Sequence, residues 1–295
     1  MATPQVAIFR QGLRAHEHLE FDLRPGATAT ALRQAFAKLQ DCGIAQASVA
    51  GFSRQLWRML APPDAVPPGL RPLASIQGSG GTMPVAPHDF WLWLQDRGPD
   101  LNIDAARQAV AALAPVLLLV EDTPGFVYRD GRDLTGFIDG TENPAPADAS
   151  EVAIVAEGPG AGGSFALVQR WRHDLPHFHA LPVPQQEQVI GRTKPDSVEL
   201  PDLPDDAHVA RMVVKTADGE LKIWRRSVPW GRAAINGLQF VGFSADPQRF
   251  VTMLERMYGA TPDRVHDRLL DFSKPETGAL YFVPSMDALQ AWVQG

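Results

Sequence analysis

Four side chains in this sequence stand where they could move protons or hold a metal. Asp139 lies in Leu134-Thr135-Gly136-Phe137-Ile138-Asp139-Gly140-Thr141-Glu142-Asn143-Pro144, between an apolar Phe-Ile pair and a glycine. A glycine directly after a carboxylate points to a tight turn. Two readings fit: an Asx-turn leading the chain out of a strand, or a partly desolvated carboxylate poised for proton transfer. His208, in Asp205-Asp206-Ala207-His208-Val209-Ala210, stands at the mouth of an apolar run and reads either as a packed residue or as a ligand. Arg225 and Arg226 follow 17 positions later, before Pro229-Trp230-Gly231; paired arginines at a strand end are ordinarily solvated. Asp271 is enclosed in Leu269-Leu270-Asp271-Phe272-Ser273. A buried aspartate needs a partner, and a ligating histidine offers its second ring N–H.

The elements that must position these groups repeat in two halves. The first reads as a strand over 6–9, then a helix capped by Thr28 or Thr30 with Leu32, Ala35, Phe36 and Leu39 on one face. A strand over 90–94 with large residues on both faces follows, then an alanine-rich helix capped by Asp104, and a buried strand over 116–120. The second half has strands over 164–171 and 209–214, the latter pairing with 221–225 across Ala217-Asp218-Gly219, and another over 237–243. Asp246-Pro247 starts a helix with Phe250, Met253, Leu254 and Met257 on its apolar face, which Gly259 stops. A strand over 279–283 and a helix capped by Ser285 close the chain. Strands with helices inserted between them, twice over, predict an α+β fold of two ferredoxin-like domains, each an antiparallel sheet with helices packed on it. The boundary is placed at Phe126, giving domains 1–125 and 126–295; the run Gly158-Pro159-Gly160-Ala161-Gly162-Gly163 reads as an exposed loop.

Taken together, these blocks resemble a family. The segment Gly136 to Pro144, Ile190-Gly191-Arg192-Thr193-Lys194, the His208 segment, the Arg225 segment ending in Pro-Trp-Gly, and Leu270-Asp271-Phe272-Ser273 are similar to motifs of the dye-decolourising peroxidases, in that family's order and near its spacing. The resemblance covers nearly the whole chain and is nearest to the compact bacterial (B-type) branch. It implies haem b in the C-terminal domain, reduction of hydrogen peroxide through a ferryl intermediate, and oxidation of organic donors such as dyes and phenolics. It implies His208 as proximal iron ligand, Asp139 as distal acid/base, Arg225 as distal arginine, Asp271 as acceptor of the proximal N–H, and Arg192 near a haem propionate. Glu142, beside the distal loop, is a candidate for Mn(II). The branch often has asparagine two residues after the distal arginine; here Ser227 stands there, with a hydroxyl of shorter reach. Relatives also imply a homo-oligomer. Some carry a C-terminal tail that loads them into protein shells, but this sequence stops at Trp292-Val293-Gln294-Gly295, so no such shell partner is expected. Bulky donors do not fit a small distal cavity, so Trp57, Trp171, Trp224, Trp230 and Tyr281 are candidate electron exits, each also readable as packing.

Other classes are weighed against this reading. A haem carrier or storage protein would need His208 but not a distal carboxylate–arginine pair, and the resemblance also admits a protein that releases iron from haem. A non-haem metal hydrolase could use His173, His177 and His179, whose spacing suits zinc. Gly78-Ser79-Gly80-Gly81 lacks the context of a nucleotide loop and reads as a turn. The net charge of −7 and scattered basic residues speak against nucleic acid. One cysteine, Cys42, excludes an internal disulfide or a CxxC motif. With no apolar run of membrane-spanning length and no signal-peptide pattern at the N-terminus, a cytoplasmic protein is expected.

Overall fold

Side chains that alternate along each strand divide the apolar residues between two faces, and that division sets the architecture. The computed structural model describes residues 2–42, 48–217 and 219–293. Its strands are β1 (Ala15–Leu23), β2 (Ser48–Phe52), β3 (Gln77–Gly78), β4 (Gly81–Thr82), β5 (Phe90–Asp96), β6 (Leu117–Phe126), β7 (Ser164–His173), β8 (Lys215–Thr216), β9 (Gly219–Glu220), β10 (Trp224–Arg225), β11 (Val228–Gly231), β12 (Asn236–Ser244), β13 (Ser273–Pro275) and β14 (Ala279–Val283). The helices are α1 (Ala29–Asp41), α2 (Arg54–Leu60), α3 (Pro99–Leu113), α4 (Ala149–Ala153), α5 (Leu175–Ala180), α6 (Val183–Ile190), α7 (His208–Met212), α8 (Gln248–Met257) and α9 (Met286–Trp292).

Ten strands form one antiparallel sheet, ordered β10-β12-β11-β6-β1-β5-β2-β14-β7-β13, and β12 pairs with β7 as well. The eight strands from β12 through β11, β6, β1, β5, β2, β14 and β7 therefore close into a ring. Each half has the same order, β6-β1-β5-β2 in the first and β11-β12-β7-β14 in the second, so its first strand lies between its third and fourth. The halves join at Trp230 opposite Gly125 and at Phe282 opposite Phe52. On β5, Trp91 and Trp93 point into the ring toward Tyr281 and Phe243, whereas Phe90, Leu92 and Leu94 belong to the outer core under the helices. Side chains fill the interior, as in other barrels of this size.

Thr28, not Thr30, caps α1 by accepting from the Ala31 N–H at 3.2 Å, and Leu32, Ala35, Phe36 and Leu39 are buried as expected. Asp246 accepts from the Gln248 N–H at 2.9 Å ahead of α8, which buries Phe250, Met253, Leu254 and Met257. Ser285 caps α9 through the Ala288 N–H. Ser79 and Gly80 turn between β3 and β4, where Gly80 donates to the Tyr258 carbonyl, so this glycine run is a packed hairpin tip.

Several expectations are corrected. Residues 6–9 hold a 3-10 turn, Val6–Ile8, because the Gln5 side chain pairs with the Ala50 main chain and Ala7 and Ile8 plug the ring. Helix α3 begins before Asp104, at Pro99, whose missing N–H is harmless in a first turn; Asp104 is exposed on the helix. The strand over 116–120 is only half-buried: Leu118 and Val120 are exposed. Only the tip of the 158–163 run is exposed, and Gly162 and Gly163 are buried. Residues 209–212 belong to α7 rather than to a strand, with Val213 and Val214 beyond its end, and Arg256 donates to the carbonyls of Ala210 and Arg211 that this short helix leaves free. Of the predicted hairpin, the two-residue β8–β9 ladder and the bond from Leu221 N–H to the Val214 carbonyl at 2.9 Å remain; Asp218, like Gln294 and Gly295, lies outside the described residues. Among the described residues, no helix is long and apolar enough to cross a membrane.

Candidate functional site

The loop that carries Asp139 follows β6 and is built by its own main chain. Asp139 N–H donates to the Gly131 carbonyl at 3.1 Å, and Asp133 N–H to that of Phe137 at 2.9 Å. Gly136 holds φ +94°, a left-handed conformation open to glycine, with the Lys194 side chain against it where a Cβ would sit. Gly140 N–H donates to Asp139 Oδ1 at 2.7 Å, so the carboxylate is a turn residue and a cavity residue at once. Asn143, from the same motif, fixes the facing strand: its Oδ1 accepts from Arg225 N–H at 2.8 Å and its Nδ2 donates to the Arg225 carbonyl at 3.0 Å. That two-point clamp ties the positions of Asp139 and Arg225 to each other. The role of Asn143 was not read from sequence, although an amide three residues after the Gly140 turn was its visible signal.

His208 opens α7, and its Nδ1 lies 2.6 Å from Asp267 Oδ2. Asp267, not Asp271, is therefore the carboxylate partner. Asp267 is fully buried, and its other oxygen caps the 3-10 turn that follows by accepting from Leu269 N–H. Asp271 sits four residues on at the far end of that turn, with a side chain 52% exposed and nearest to His266. Asp271 lies between the apolar Leu270 and Phe272, whereas Asp267 lies between His266 and Arg268, and its signal is the N-cap position. With Nδ1–H donated to the carboxylate, Nε2 is the nitrogen left with a free lone pair.

His208, Asp139, Arg225, Arg192 and Glu142 all line one cavity between α7, α8 and the outer face of β7 and β12, with about 1410 Å³ of empty space, part of it open to solvent. Leu167, Leu238, Phe240, Met253 and Met257 make much of its wall apolar. Arg192 is ion-paired with Glu142 and donates to the Ser197 carbonyl at 2.7 Å; its Nε is buried without a partner among the described residues. Ser227 does not join them: it is absent from the cavity wall, and its Oγ accepts from Val241 N–H at 3.3 Å, the short side chain being spent on its own strand neighbour. His173, His177 and His179 do not converge either. His173 bonds Asp133 and Ser273, His177 packs at a tilt against Phe272, and His179 reaches the Thr135 carbonyl. Among the described residues, no group of three His, Cys, Asp or Glu could hold a metal ion. Of the five aromatic candidates, Trp57, Trp171, Trp224 and Tyr281 are buried; Trp230 alone is partly exposed, under the Arg170 guanidinium.

Burial pushes the Asp139 carboxyl above the usual range, the Arg225 charge opposes that, and Asp133 adds to the rise. Burial also acts on Asp133, but the His173 imidazole and the Thr135 hydrogen bonds outweigh it and hold this carboxyl at about 2. The cavity thus keeps one ionised aspartate beside another whose proton affinity is raised.

The model of the C-terminal part of Dyp-type peroxidases matches residues 130–288. A dye-decolorizing peroxidase of Mycolicibacterium paratuberculosis is 38% identical over 250 residues, which is 82% of this chain and 70% of that protein. Among solved structures, a dye-decolorizing protein from V. cholerae superposes with a TM-score of 0.87 at 36% identity, covering 97% of this chain and 98% of that one. A DypB variant of Rhodococcus jostii RHA1 in complex with heme gives a TM-score of 0.89 at 32% identity, covering 96% of each chain. With the matched region spanning Asp139, His208 and Arg225, the chain belongs to the dye-decolorizing peroxidase family and is a peroxidase.

Proposed function

We propose that this chain binds one haem b in the cavity below α7 and α8, with iron on His208 Nε2, and uses it to reduce hydrogen peroxide at the expense of organic donors. The observation that carries this reading is the convergence of His208, Asp139 and Arg225 on a single apolar cavity. The donor set suits such a group in three ways. The wall is apolar, His208 keeps one nitrogen free while Asp267 holds the other, and the orphaned Nε of Arg192 offers a charged donor to a propionate. When bound, haem supplies the redox chemistry.

The protein's own part is position and charge. Asp267 fixes the plane of the His208 ring and strengthens Nε2 as a donor. Asp139 in its ionised form takes a proton from one oxygen of hydrogen peroxide and returns it to the other. Arg225, permanently charged and held by Asn143, stabilises negative charge on the departing oxygen. The raised proton affinity of Asp139 makes it a better base than an exposed aspartate. The rate should fall as pH drops through its elevated pKa. The repeated strand order of the two halves supports reading them as ferredoxin-like domains divided near Phe126. A haem carrier has no use for the Asp139–Arg225 pair.

An absorbance spectrum of the purified protein with haem, before and after one equivalent of peroxide, tests cofactor and reactivity together. His208→Ala should abolish the Soret band or change its character; native-like ligation and turnover in that variant would overturn the assignment. A carrier would bind haem yet oxidise donors no faster than free haem, with no loss on Asp139→Ala.

A further inference from the structure

One buried chain of side chains in the cavity wall has no part in the chemistry above. Asp133 stands six residues before Asp139 on the same loop. Its Oδ2 accepts from Thr135 N–H at 3.0 Å and from the Thr135 hydroxyl at 2.7 Å. Its Oδ1 lies 3.0 Å from His173 Nε2, and His173 Nδ1 lies 2.8 Å from Ser273 Oγ. His173 is the last residue of β7, and Ser273, which pairs with it in the sheet register, is the first of β13. Because the Asp133 carboxylate is ionised, it can only accept, so Nε2 of His173 is the donor. Through this largely buried carboxylate the loop carrying Asp139 is bonded directly to β7 and, by way of His173, to β13. All three side chains line the same cavity as Asp139.

We propose that Asp133, held by His173 and Ser273, is a positioning residue that fixes where Asp139 points and how firmly it keeps its proton. The inference rests on the assignment of Asp139 as the proton-transferring group. Its positioning half follows from geometry. Asp133 N–H, its carbonyl and both its carboxylate oxygens are bonded within residues 133–137 or to His173, and Asp139 hangs from the next turn through Gly131. Its charge half follows from a fixed negative charge close to a second carboxyl in a poorly solvated place, which favours the protonated form of the second.

The fixed charges that bear on Asp139 are Arg225 on β10 and Asp133 on its own loop; His208 on α7 faces the same cavity with Nε2 left unprotonated for iron. The other charged groups packed near the loop are spent on other partners. Arg132 bonds Asp130 and the carbonyls of Gly136, Lys194 and Pro195. Lys194 lies over Phe137 and bonds Gln186. Arg192 pairs with Glu142, and Lys222 with Glu220. Asp133 is thus the negative neighbour whose removal most directly changes the field at Asp139.

The test uses the full-length ferric haem protein and two readouts over pH: the rate of reaction with peroxide, and the affinity for cyanide, which binds as the neutral acid and needs a distal base to take its proton. Asp133→Asn keeps the shape and removes the charge. It should move the acid limb of both profiles to lower pH, because Asp139 then gives up its proton more readily. His173→Ala should leave Asp133 unpaired and lower the peroxide rate by about tenfold or more, with faster hydrogen exchange at the Thr135 and Asp139 amides. His173→Gln, which can still offer an N–H to Asp133, should recover most of that loss. A uniform drop in rate with unshifted profiles in Asp133→Asn overturns the charge role, and His173→Gln behaving like His173→Ala overturns the positioning role. Should the wild-type protein form no ferric cyanide complex at all, the haem assignment itself fails first, so the two failures are told apart. If His173→Ala does not fold, Asp133→Asn and His173→Gln still decide the matter.

Discussion

The ring interior and the cavity bury the same kinds of side chain behind opposite faces of the same sheet, and treat their charges differently. Inside the ring, His16 and His18 of β1 stack on Trp91 and Trp93, and Tyr281 donates to Glu20 at 2.5 Å. Burial and the nearby Arg226 push the His16 imidazole down to about 4, burial drives His18 well below its usual value, and burial raises Glu20. Each of these shifts favours the neutral form. On the other side, Asp133 stays ionised because His173 and Thr135 were placed to receive its charge. The difference teaches that burial alone switches titratable groups off. A buried charge persists only where partners are arranged around it, and it serves chemistry only where open volume lies beside it.

Substitution on the two sides should therefore give effects of unequal size. Asp139→Asn removes the proton acceptor and should lower the peroxide rate by about 100- to 10,000-fold, measured by stopped-flow with haem bound. Arg225→Leu should cost about 100- to 1,000-fold in the same measurement. Asp267→Asn leaves His208 in place with a weaker partner and should weaken haem binding by about 10- to 100-fold, read from Soret titration. On the ring side, His18→Leu should alter stability and leave the peroxide rate unchanged. A rate loss there as large as that of Arg225→Leu would erase the distinction.

The sequence carried the second half of the comparison better than the first. The tight turn at Asp139 follows from its glycines, but on local pattern alone Asp139, His208 and Arg225 each keep an ordinary packed or solvated reading; it is the resemblance of the ordered blocks to a family that singles them out. Helix faces such as Phe250, Met253, Leu254 and Met257 followed from periodicity. What stayed hidden depends on contacts between distant segments. Asp267 rather than Asp271 meets His208 because Arg268 N–H reaches the Asp206 carbonyl at 2.9 Å and draws that turn against the start of α7. Closure of the ring rests on β12 pairing with strands on both sides, which no local pattern announces. The segment at 209–214 has a strand-like composition, yet Arg256 and Arg211 bond across to each other's carbonyls and stabilise a helix. The spacing of His173, His177 and His179 suits zinc, but it reflects only the end of β7 and the last turn of α5.

The smallest effect separates the two regions most cleanly, because it involves no haem. His16 is protonated at its ordinary pKa of 6.5 in the unfolded chain but only near 4 when folded. As pH falls below 6.5 the unfolded chain therefore binds a proton that the folded protein refuses, and stability drops. The loss should be about 0.7 kcal/mol between pH 7 and pH 6, and should stop growing below about 4, where the folded imidazole also titrates. Glu17, which burial and a hydrogen bond with Asp122 raise to about 8, works in the opposite sense, gaining stability as pH falls from 8 toward 4.5. The wild-type curve alone thus mixes the two. His16→Gln removes the first while its amide oxygen can still accept from Trp93 Nε1–H, the bond that His16 Nδ1 makes at 3.2 Å. Urea denaturation from pH 7 to pH 5 should show the variant losing less stability on acidification than wild type. If the two curves run parallel, the imidazole is not held neutral inside the ring, and the contrast with the cavity loses its physical basis.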